Sequence, residues 1–341
     1  MKIAVVILNW NGEPMLRDFL PSVVAHSHLP EGVGEVMVYV ADNGSTDGSL
    51  ALLASNFPTV HTIVFDKNYG FADGYNKAFE QIDVEYAVLL NSDVEVTPGW
   101  LIPLVEYMDF HPEVAACQPK LMAWHKKDEF EYAGAMGGFI DKYGYPYCRG
   151  RIFDTVERDC GQYDSDVPLL WATGACLMVR LPIYKEVGGL DGRFFAHMEE
   201  IDLCWRLRCR GHEIRSVAQS IVYHVGGATL NAGNPRKTFL NFRNNLLMLY
   251  KNLPDRELHS VLFVRAILDY LAAAMFFLKG EWGSVKAVFR ARREYHRLKS
   301  TFRASREENL AKASSMNVPE HTRFSILWKY HLKGCKTYNQ L

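Results

Sequence analysis

The first hundred residues alternate apolar strand segments with helical segments, and this alternation constrains the fold more than any other feature of the chain. Four segments are predicted as buried strands, and a helical pattern with Pro14 in its first turn follows the first of them. Each strand is a continuous apolar run, which is typical of a parallel sheet covered on both faces. The alternation therefore predicts an α/β fold with a doubly wound, mostly parallel, Rossmann-like central sheet.

Each of the four strands is followed by small and polar residues, at positions 9–12, 42–45, 68–71 and 91–93. Such residues are also the usual residues of turns. Four such clusters at the same edge favour a polar crevice, because ligands of doubly wound sheets bind beyond the carboxyl ends of the strands. The glycine pattern of a dinucleotide site and the P-loop pattern are both absent from the sequence.

Composition excludes few classes of protein. The formal net charge of -1 gives no bias toward nucleic acid, so no nucleic-acid partner is expected. The seven scattered cysteines are interpreted as reduced thiols of a cytoplasmic protein. The apolar run at residues 266–278 carries Asp269 and is shorter than the roughly 20 residues of a membrane span, so a buried or interfacial helix is predicted there.

The character of the chain changes near residue 237, where long and basic helical patterns begin. We therefore predict one domain at residues 1–236 and a helical extension at residues 237–341. Val288, Tyr295, Leu298 and Phe302 lie on roughly one face of the basic segment. Two alternatives remain open, packing on the core or peripheral contact with an anionic membrane at its cytoplasmic face.

Seven motifs occur in an order that resembles the family-two inverting glycosyltransferases, and most closely their bacterial rhamnosyltransferase-like subgroup. They are "VVILNWNG", "ADNGSTDGS", "NYGFADGYNKA", "LLNSDVEV", "TGACLMVR", "GGLDGRFFAHMEEIDLCWRLRCRG" and "VYHVGG". The resemblance covers about residues 1–250 and implies a GT-A fold. It implies that residues 1–236 form the catalytic domain, with a nucleotide-binding part at 1–98 and an acceptor and catalytic part at 99–236. It also implies transfer of a sugar from a UDP- or dTDP-sugar to a hydroxyl of a glycan or lipid-linked acceptor in bacterial polysaccharide synthesis. The alternative is a non-catalytic nucleotide-sugar-binding or membrane-associated module.

The resemblance implies a divalent metal, Mg²⁺ or Mn²⁺, bound by the motif after the fourth strand. Asp93 occupies the metal-ligand position, and Asn91 stands where an aspartate is common and is assigned to the donor sugar. These ions take hard oxygen ligands and accept most of them from phosphates and water, so one or two protein ligands are enough. His224 is the second metal candidate. The alternatives are a turn carboxylate at Asp93 and a structural histidine at position 224.

The resemblance also places the catalytic base, which takes the proton of the acceptor hydroxyl, in an acidic run at the start of a helix. The base position falls on Glu200, where the family usually has aspartate, and Asp202 and Glu199 are reserve candidates. A helix N-terminus is expected to lower the pKa of Glu200. The alternative is a set of ordinary first-turn acids, with Asp202 paired to Arg206 one helical turn later.

The remaining assignments concern the nucleotide and the two sugars. Asp42 resembles the carboxylate that accepts the N3–H of uracil or thymine. Trp171 either stacks on a sugar ring or belongs to the core. The other expected nucleotide contacts are Asn9, Asn11, Asn68, Gly70 and Asp73, and the other expected donor-sugar or acceptor contacts are Thr173 and Gly174.

Overall fold

The computed structural model describes residues 1–226 and 234–341. Gly227, the last residue of the "VYHVGG" motif, lies outside the described residues. The strands are β1 Lys2–Asn9, β2 Glu35–Asp42, β3 His61–Val64, β4 Tyr86–Leu90, β5 Val94–Val96, β6 Val114–Ala123, β7 Lys126–Phe130, β8 Gly138–Ile140, β9 Pro146–Cys148, β10 Arg151–Ile152, β11 Thr155–Val156, β12 Cys176–Arg180 and β13 Glu213–His224.

The α-helices fall into two groups along the chain. Those of the first 226 residues are α1 Glu13–His26, α2 Ser49–Asn56, α3 Gly70–Glu80, α4 Leu101–Phe110, α5 Leu181–Glu186 and α6 Glu199–Cys209. Those that follow are α7 Pro235–Asn252, α8 Asp255–Leu278, α9 Trp282–Leu298 and α10 Arg303–Lys312.

The main sheet has the strand order β3-β2-β1-β4-β12-β6-β13-β5, with β7 paired to β6. The first four strands of that order are parallel, as the alternation predicts. Beyond them the sheet is mixed, because β12 runs antiparallel to β4 and β6 and β5 runs antiparallel to β13. The register pairs Asn9 with Asp42, so the carboxyl ends of β1 and β2 meet side by side.

Two apolar cores cover the faces of this sheet, because successive side chains of a strand point to opposite faces. Along β1, Ala4 and Val6 belong to one core, and Ile3, Val5 and Ile7 belong to the other. Helices α1, α2 and α4 contribute to the core of Ile3, and α3, α5, α6 and α7 contribute to the core of Ala4. Burial on both faces explains why the strands are apolar without alternation.

The tyrosine- and glycine-rich region near residues 123–168 contains a second sheet of four short strands in the order β11-β10-β9-β8. This sheet is closely joined to the rest of the protein. Trp171 pairs with Gly138, and the backbone of Ile140 exchanges hydrogen bonds with residues 320 and 322 near the C-terminus. The region is therefore an ordered layer beside the main sheet.

The C-terminal helices pack on the main domain and on one another, with α9 against both α7 and α8. Val288, Tyr295 and Phe302 are buried, so the stripe that the sequence left open lies on the core. Helix α8 is longer than the apolar run suggested, and it is the one described helix that is long and apolar enough to cross a membrane by length and composition. The domain division at residues 236 and 237 remains a prediction.

Candidate active site

The carboxyl ends of β1 and β2 are joined by a buried polar network. The Asn9 side-chain amide donates to Asp42 Oδ2 at 3.0 Å and lies 3.2 Å from Ser45 Oγ. Asp42 Oδ1 accepts the backbone N–H of Ser45 at 2.9 Å. Asp42 has no exposed surface, and two of the roughly four lone-pair positions of its carboxylate are used. Direct contact of Asp42 with a nucleotide base therefore requires the Asn9 side chain to shift.

A second network fixes the loop that follows β3. Asn43 Nδ2 donates to Asn68 Oδ1 at 3.1 Å and to the carbonyl of Gly70 at 3.0 Å, while Asn43 Oδ1 accepts the N–H of Tyr69. Gly70 adopts a φ of 77°, which glycine reaches without strain. Asn68 and Gly70, both expected at the nucleotide, are thus held beside the end of β2 by Asn43, to which the sequence analysis assigned no role.

Asn11 and Asp73 lie at the two sides of this nucleotide-facing region. Asn11 Oδ1 accepts the backbone N–H of Thr46 at 2.7 Å, which ties the loop after β1 to the loop after β2. Asp73 lies in α3 with its carboxylate against Gly192, where an added Cβ would come within 2.0 Å of Asp73 Oδ1. A side chain at position 192 would therefore displace the Asp73 carboxylate from its present position.

Asp93 and His224 lie together because β5 and β13 pair with His224 opposite Val94. His224 Nε2 is 3.2 Å from Asp93 Oδ1 and 3.4 Å from Asn91 Nδ2, and both ionisable side chains are buried. Burial opposes the charged forms, but the attraction between them is stronger. The pKa of Asp93 is lowered, and the neighbouring carboxylates raise the pKa of His224 to about 10.

Glu131 completes this group, although no motif contains it. Its Oε1 lies 3.3 Å from His224 Nδ1, and its Oε2 accepts the N–H groups of Ala133 and Gly134 at 2.7 and 2.9 Å. A carboxylate behind a histidine commonly fixes the orientation of the ring for metal binding. Within residues 1–226 and 234–341, no three His, Cys, Asp or Glu side chains form a complete metal-binding group.

The donor set suits a hard divalent ion that obtains most of its ligands elsewhere. Asp93 offers a carboxylate oxygen, and His224 would offer an imidazole nitrogen once a binding ion displaces its proton; both are acceptable ligands for Mn²⁺, and Mg²⁺ accepts the carboxylate. Two protein ligands would be too few for a structural ion but fit one that a diphosphate and water complete. The residues therefore fit the expected kind of ion.

The acidic run at the start of α6 contains three carboxylates in different environments. Asp202 is fully buried and accepts hydrogen bonds from Arg206, Lys251 and Asn252, so the pairing of Asp202 with Arg206 considered for the sequence is present. Glu199 and Glu200 each have a buried Oε2 without a hydrogen-bond partner. The structure thus separates one acid in a salt-bridge network from two whose oxygens remain available.

The pKa of Glu200 is raised to about 7, and this corrects the expectation that a helix N-terminus would lower it. Burial raises the pKa, and hydrogen bonds from backbone N–H groups at the start of α6 offset only part of that effect. The pKa of Glu199 is raised further, by deeper burial and by the charge of Glu200. Glu200 is therefore the carboxylate of this pair that ionises near neutral pH.

The segment before α6 has a strained backbone. Phe195, His197 and Met198 all have φ values of about 70–77°, which non-glycine residues rarely adopt. The buried side-chain amide of Asn244 in α7 lies 2.8–2.9 Å from the carbonyl oxygens of Phe194, Ala196 and His197. We call this contact the α7 clamp. The one sequence signal for it was a polar triplet, "RNN", within an apolar helix.

The clamped segment and the loop after β3 approach the acidic run from opposite sides. An added Cβ on Gly70 would lie 3.3 Å from the ring of Phe195, and one on Gly174 would lie 2.9 Å from the ring of Phe71 and 3.9 Å from Glu200 Cβ. Gly174 and Glu200 are thus neighbours, as the motif order suggests. The missing side chains allow the rings of Phe195 and Phe71 to pack closely against Gly70 and Gly174.

Trp171 and Thr173 lie inside the protein. Trp171 belongs to the apolar core, and its indole N–H donates to the carbonyl of Phe139 at 3.0 Å. This location agrees with the core alternative for the tryptophan. Thr173 is also buried, and its N–H donates to Gln118 Oε1 at 3.0 Å, which fixes the start of the loop that carries Gly174.

The sequence model of glycosyl transferase family 2 matches residues 4–156, the part of the chain that contains β1–β4 and Asp93. An N-acetylglucosaminyl-diphospho-decaprenol L-rhamnosyltransferase of Mycobacterium tuberculosis is 28% identical over 223 residues, which cover 60% of this chain and 70% of that protein. Residues 4–156 therefore form a glycosyl transferase family 2 domain, and the chain is a glycosyltransferase. Its similarity to rhamnosyltransferases extends the match beyond residue 156 and agrees with the subgroup that the motifs indicated.

Two further relatives of this glycosyltransferase have names that refer to related functions. The O-antigen biosynthesis protein RfbC of Myxococcus xanthus is 26% identical over 68% of this chain but only 18% of its own length. The low-salt glycan biosynthesis hexosyltransferase Agl10 of Haloferax volcanii is 20% identical over 85% of this chain and 89% of its own. Both names concern the synthesis of glycans.

Solved structures establish the GT-A fold of this glycosyltransferase. S. aureus TarS 1-349, in complex with UDP, superposes with a TM-score of 0.54 at 14% identity over 92% of this chain and 89% of that chain. The mannosyltransferase PcManGT of Pyrobaculum calidifontis, in complex with GDP-Man and Mn²⁺, gives a TM-score of 0.51 at 15% identity over 90% and 86%. At these identities the likeness concerns the fold alone.

Proposed function

We propose that this glycosyltransferase moves a sugar from a UDP- or dTDP-sugar to a hydroxyl of a glycan or lipid-linked acceptor, with inversion at the anomeric carbon. The observation that carries the proposal is the pair formed by Glu200 and Gly174. The Glu200 carboxylate, whose pKa is about 7 and whose Oε2 is unpartnered, lies at the start of the acidic run, where an added Cβ on Gly174 would be 3.9 Å from Glu200 Cβ. The mycobacterial relative is named for an acceptor that is a sugar linked through a diphosphate to a lipid, and this supports a lipid-linked acceptor.

The nucleotide is proposed to bind at the ends of β1–β3. The polar networks of Asn9, Asp42 and Asn43 hold three loops in one place before any ligand arrives, which lowers the entropy cost of binding. Asn68, Gly70 and Asp73 line the continuation of this edge, and Asn11 joins its two loops. A shift of the Asn9 amide would free Asp42 Oδ2 for the N3–H of uracil or thymine, which cytosine lacks.

Asp93 and His224 are proposed to hold Mg²⁺ or Mn²⁺ against the diphosphate. A bound divalent ion would offset the charge that grows on the leaving diphosphate. Asn91, next to His224, is proposed to contact the donor sugar, because an amide can donate to a sugar hydroxyl but is a weak ligand for a metal ion. Glu131 keeps the imidazole of His224 in position.

Glu200 is proposed as the general base. The acceptor hydroxyl oxygen forms a bond to the anomeric carbon while its proton passes to a Glu200 carboxylate oxygen, and the bond from that carbon to the diphosphate oxygen breaks. Attack from the side opposite the leaving group inverts the anomeric carbon. Of the reserve candidates, Glu199 is buried, which raises its pKa and favours its protonated form, and Asp202 is engaged by two cations. Glu200 is the acid of the run that can accept a proton.

A donor screen tests this proposal. UDP- and dTDP-sugars are incubated with Mg²⁺ or Mn²⁺ and simple hydroxyl acceptors, and NMR identifies the anomer of the product. We expect one donor class to turn over with inversion, and Glu200→Gln to remove turnover while Glu199→Gln, the matched control, retains most of it. Retention of configuration would exclude single displacement. Donor binding without turnover in any combination would indicate the non-catalytic module instead.

A further inference from the structure

Helix α8 places its charged residues inside the protein and its apolar residues outside. Arg265 and Asp269 are almost completely buried and are paired with each other. The opposite face carries six apolar side chains that are 49–83% exposed: Phe263, Ile267, Leu271, Met275, Phe277 and Leu278. A helix at a water-facing surface normally has the reverse pattern. Contiguous apolar surface of this kind marks an interaction site.

Helix α9 extends the same apolar surface. Trp282 packs edge-on against Phe277 with ring centroids 4.8 Å apart, and Phe289 lies 5.5 Å from the ring of Tyr270. Trp282 and Phe289 are themselves more than half exposed. We call the exposed faces of α8 and α9 between residues 263 and 293 the hairpin surface. Its aromatic and aliphatic side chains come from both helices.

The charges on the hairpin surface are mostly positive. Within residues 263–293, all of which the structure describes, the exposed ionisable side chains are four cations and one acid, namely Lys279, Lys286, Arg290, Arg293 and Glu281. Apolar and aromatic side chains bordered by lysine and arginine are typical of segments that rest in the headgroup region of an anionic bilayer. The charge therefore favours an anionic occupant.

A cavity of about 260 Å³ lies at one edge of the hairpin surface. Leu258, Leu262 and Phe263 contribute apolar walls, and Arg292, His296 and Lys299 contribute cationic or polar side chains. This combination suits the junction between a lipid phosphate and the start of an acyl chain. The cavity and the exposed face share Phe263, so one lipid surface could contact both.

We propose that the hairpin surface docks on an anionic lipid bilayer. A two-fold contact with a second copy would bring the same cations face to face, which is unfavourable. Helix α8 does not leave the protein to cross the bilayer, because Asp269 also binds Arg292 of α9 at 2.7 Å and Arg265 donates to the carbonyl of Tyr143 at 3.0 Å. The apolar face enters the headgroup region while the charged face remains on the protein.

The inference deepens the proposed function, since it assigns the surface at which a lipid-linked acceptor would be met. Helix α7 packs against α9 and carries the α7 clamp to the segment before Glu200. Docking therefore holds the acidic run at a fixed position relative to the membrane. Vesicle binding is measured without donor or acceptor, so its failure is distinguishable from failure of the proposed chemistry.

The test is co-sedimentation of the full chain with vesicles of phosphatidylcholine, with and without phosphatidylglycerol. We expect binding that requires phosphatidylglycerol and weakens with salt. Leu271→Glu should lower the partition constant of the protein between water and vesicles by at least about tenfold, since it removes an inserted side chain and adds a negative charge. Phe110→Glu is the matched control, because Phe110 is 81% exposed at the end of α4, outside the hairpin surface.

Three outcomes would overturn the proposal. These are absence of binding to anionic vesicles, equal binding to both vesicle types, and an equal loss of binding in Leu271→Glu and Phe110→Glu. Sedimentation velocity tests whether a second copy of the chain covers the surface instead. A dimer that Leu271→Glu dissociates, in a protein that does not bind vesicles, would assign the surface to a second copy. If Leu271→Glu fails to fold, Leu271→Ala and Met275→Ala truncate exposed side chains only and should each weaken binding severalfold.

Discussion

Replacing Asn244 with alanine should lower the turnover number much more than it lowers donor affinity. The variant removes the α7 clamp, whose amide lies within hydrogen-bond distance of three carbonyl oxygens. One NH₂ group supplies two hydrogens, so about two hydrogen bonds are lost. Each buried acceptor left without a partner costs about 1–3 kcal/mol, so the segment before α6 loses about 2–6 kcal/mol.

The strain in that segment is of the same size. Three non-glycine residues with positive φ, Phe195, His197 and Met198, store about 1 kcal/mol or more each. Without the clamp, relaxation of these dihedral angles releases about as much energy as the clamp supplied. The segment should therefore relax locally while the domain stays folded, and Glu200, two residues beyond Met198, should move. A displacement of about 1 Å typically costs a factor of about 100 in rate.

The assay compares kcat, the donor dissociation constant and the pH profile of Asn244→Ala with those of Asn309→Ala. Asn309 is also a buried asparagine, but its amide donates to Asn252 and not to the strained segment. We expect kcat to fall about 100-fold in Asn244→Ala only, with donor affinity nearly unchanged and the acidic limb of kcat/KM shifted below 7. Equal losses of kcat in the two variants would refute a positioning role. A 100-fold loss of kcat in Asn244→Ala with the acidic limb of the kcat/KM pH profile still near pH 7 would refute it as well.

The other predictions concern the base, the metal and a buried charge group. Because the pKa of Glu200 is raised from 4.5 to about 7, kcat/KM should rise about tenfold per pH unit up to pH 7 and then become constant. Glu200→Gln should abolish this rise with pH and lower the rate by a factor of about 10²–10⁴. The raised pKa also means that the stabilisation from proton binding at this group is complete below about pH 4.5 and lost as the pH rises through 7, which pH-dependent denaturant titration can measure. Asp93→Ala should abolish Mn²⁺ binding in a calorimetric titration, whereas Asn91→Ala should mainly change donor preference, and the reverse result would contradict our assignment of the two residues. Asp269→Ala should lower the free energy of unfolding by about 3–5 kcal/mol, because Arg265 would remain buried without its partner; a loss below 1 kcal/mol in urea unfolding would contradict this.

The sequence predicted those features that depend on local pattern and chain order. The apolar strands and the polar residues at their ends placed Asn9 beside Asp42, because parallel strands align their carboxyl ends at one edge. The motif order likewise suggested that Asp93 and His224 belong together, and the β5–β13 register brings them within 3.2 Å. The pairing of Asn9 with Asp42 follows from strand order alone. The pairing of Asp93 with His224 depended on the family resemblance.

The features that could not be predicted depend on tertiary contacts and burial. Glu131 lies in a region without a strand or helix pattern, and its position behind His224 exists only in the folded chain. The pKa of Glu200 was expected to fall because the helix N-terminus was visible in sequence, whereas the stronger effect, burial, was not. The basic C-terminal segment has an apolar stripe that suits either a core or a membrane, and only the packing of Val288 distinguishes them.

The α7 clamp has a consequence for the order in which this enzyme becomes active during its own synthesis. The loops proposed to bind the nucleotide lie within the first hundred residues, and Glu200, the proposed base, follows. Asn244 emerges from the ribosome 44 residues after Glu200, as the two residue numbers give. A nascent chain therefore contains the proposed base well before Asn244 can fix the segment that precedes it. On the proposed mechanism, catalysis waits until α7 has joined the fold.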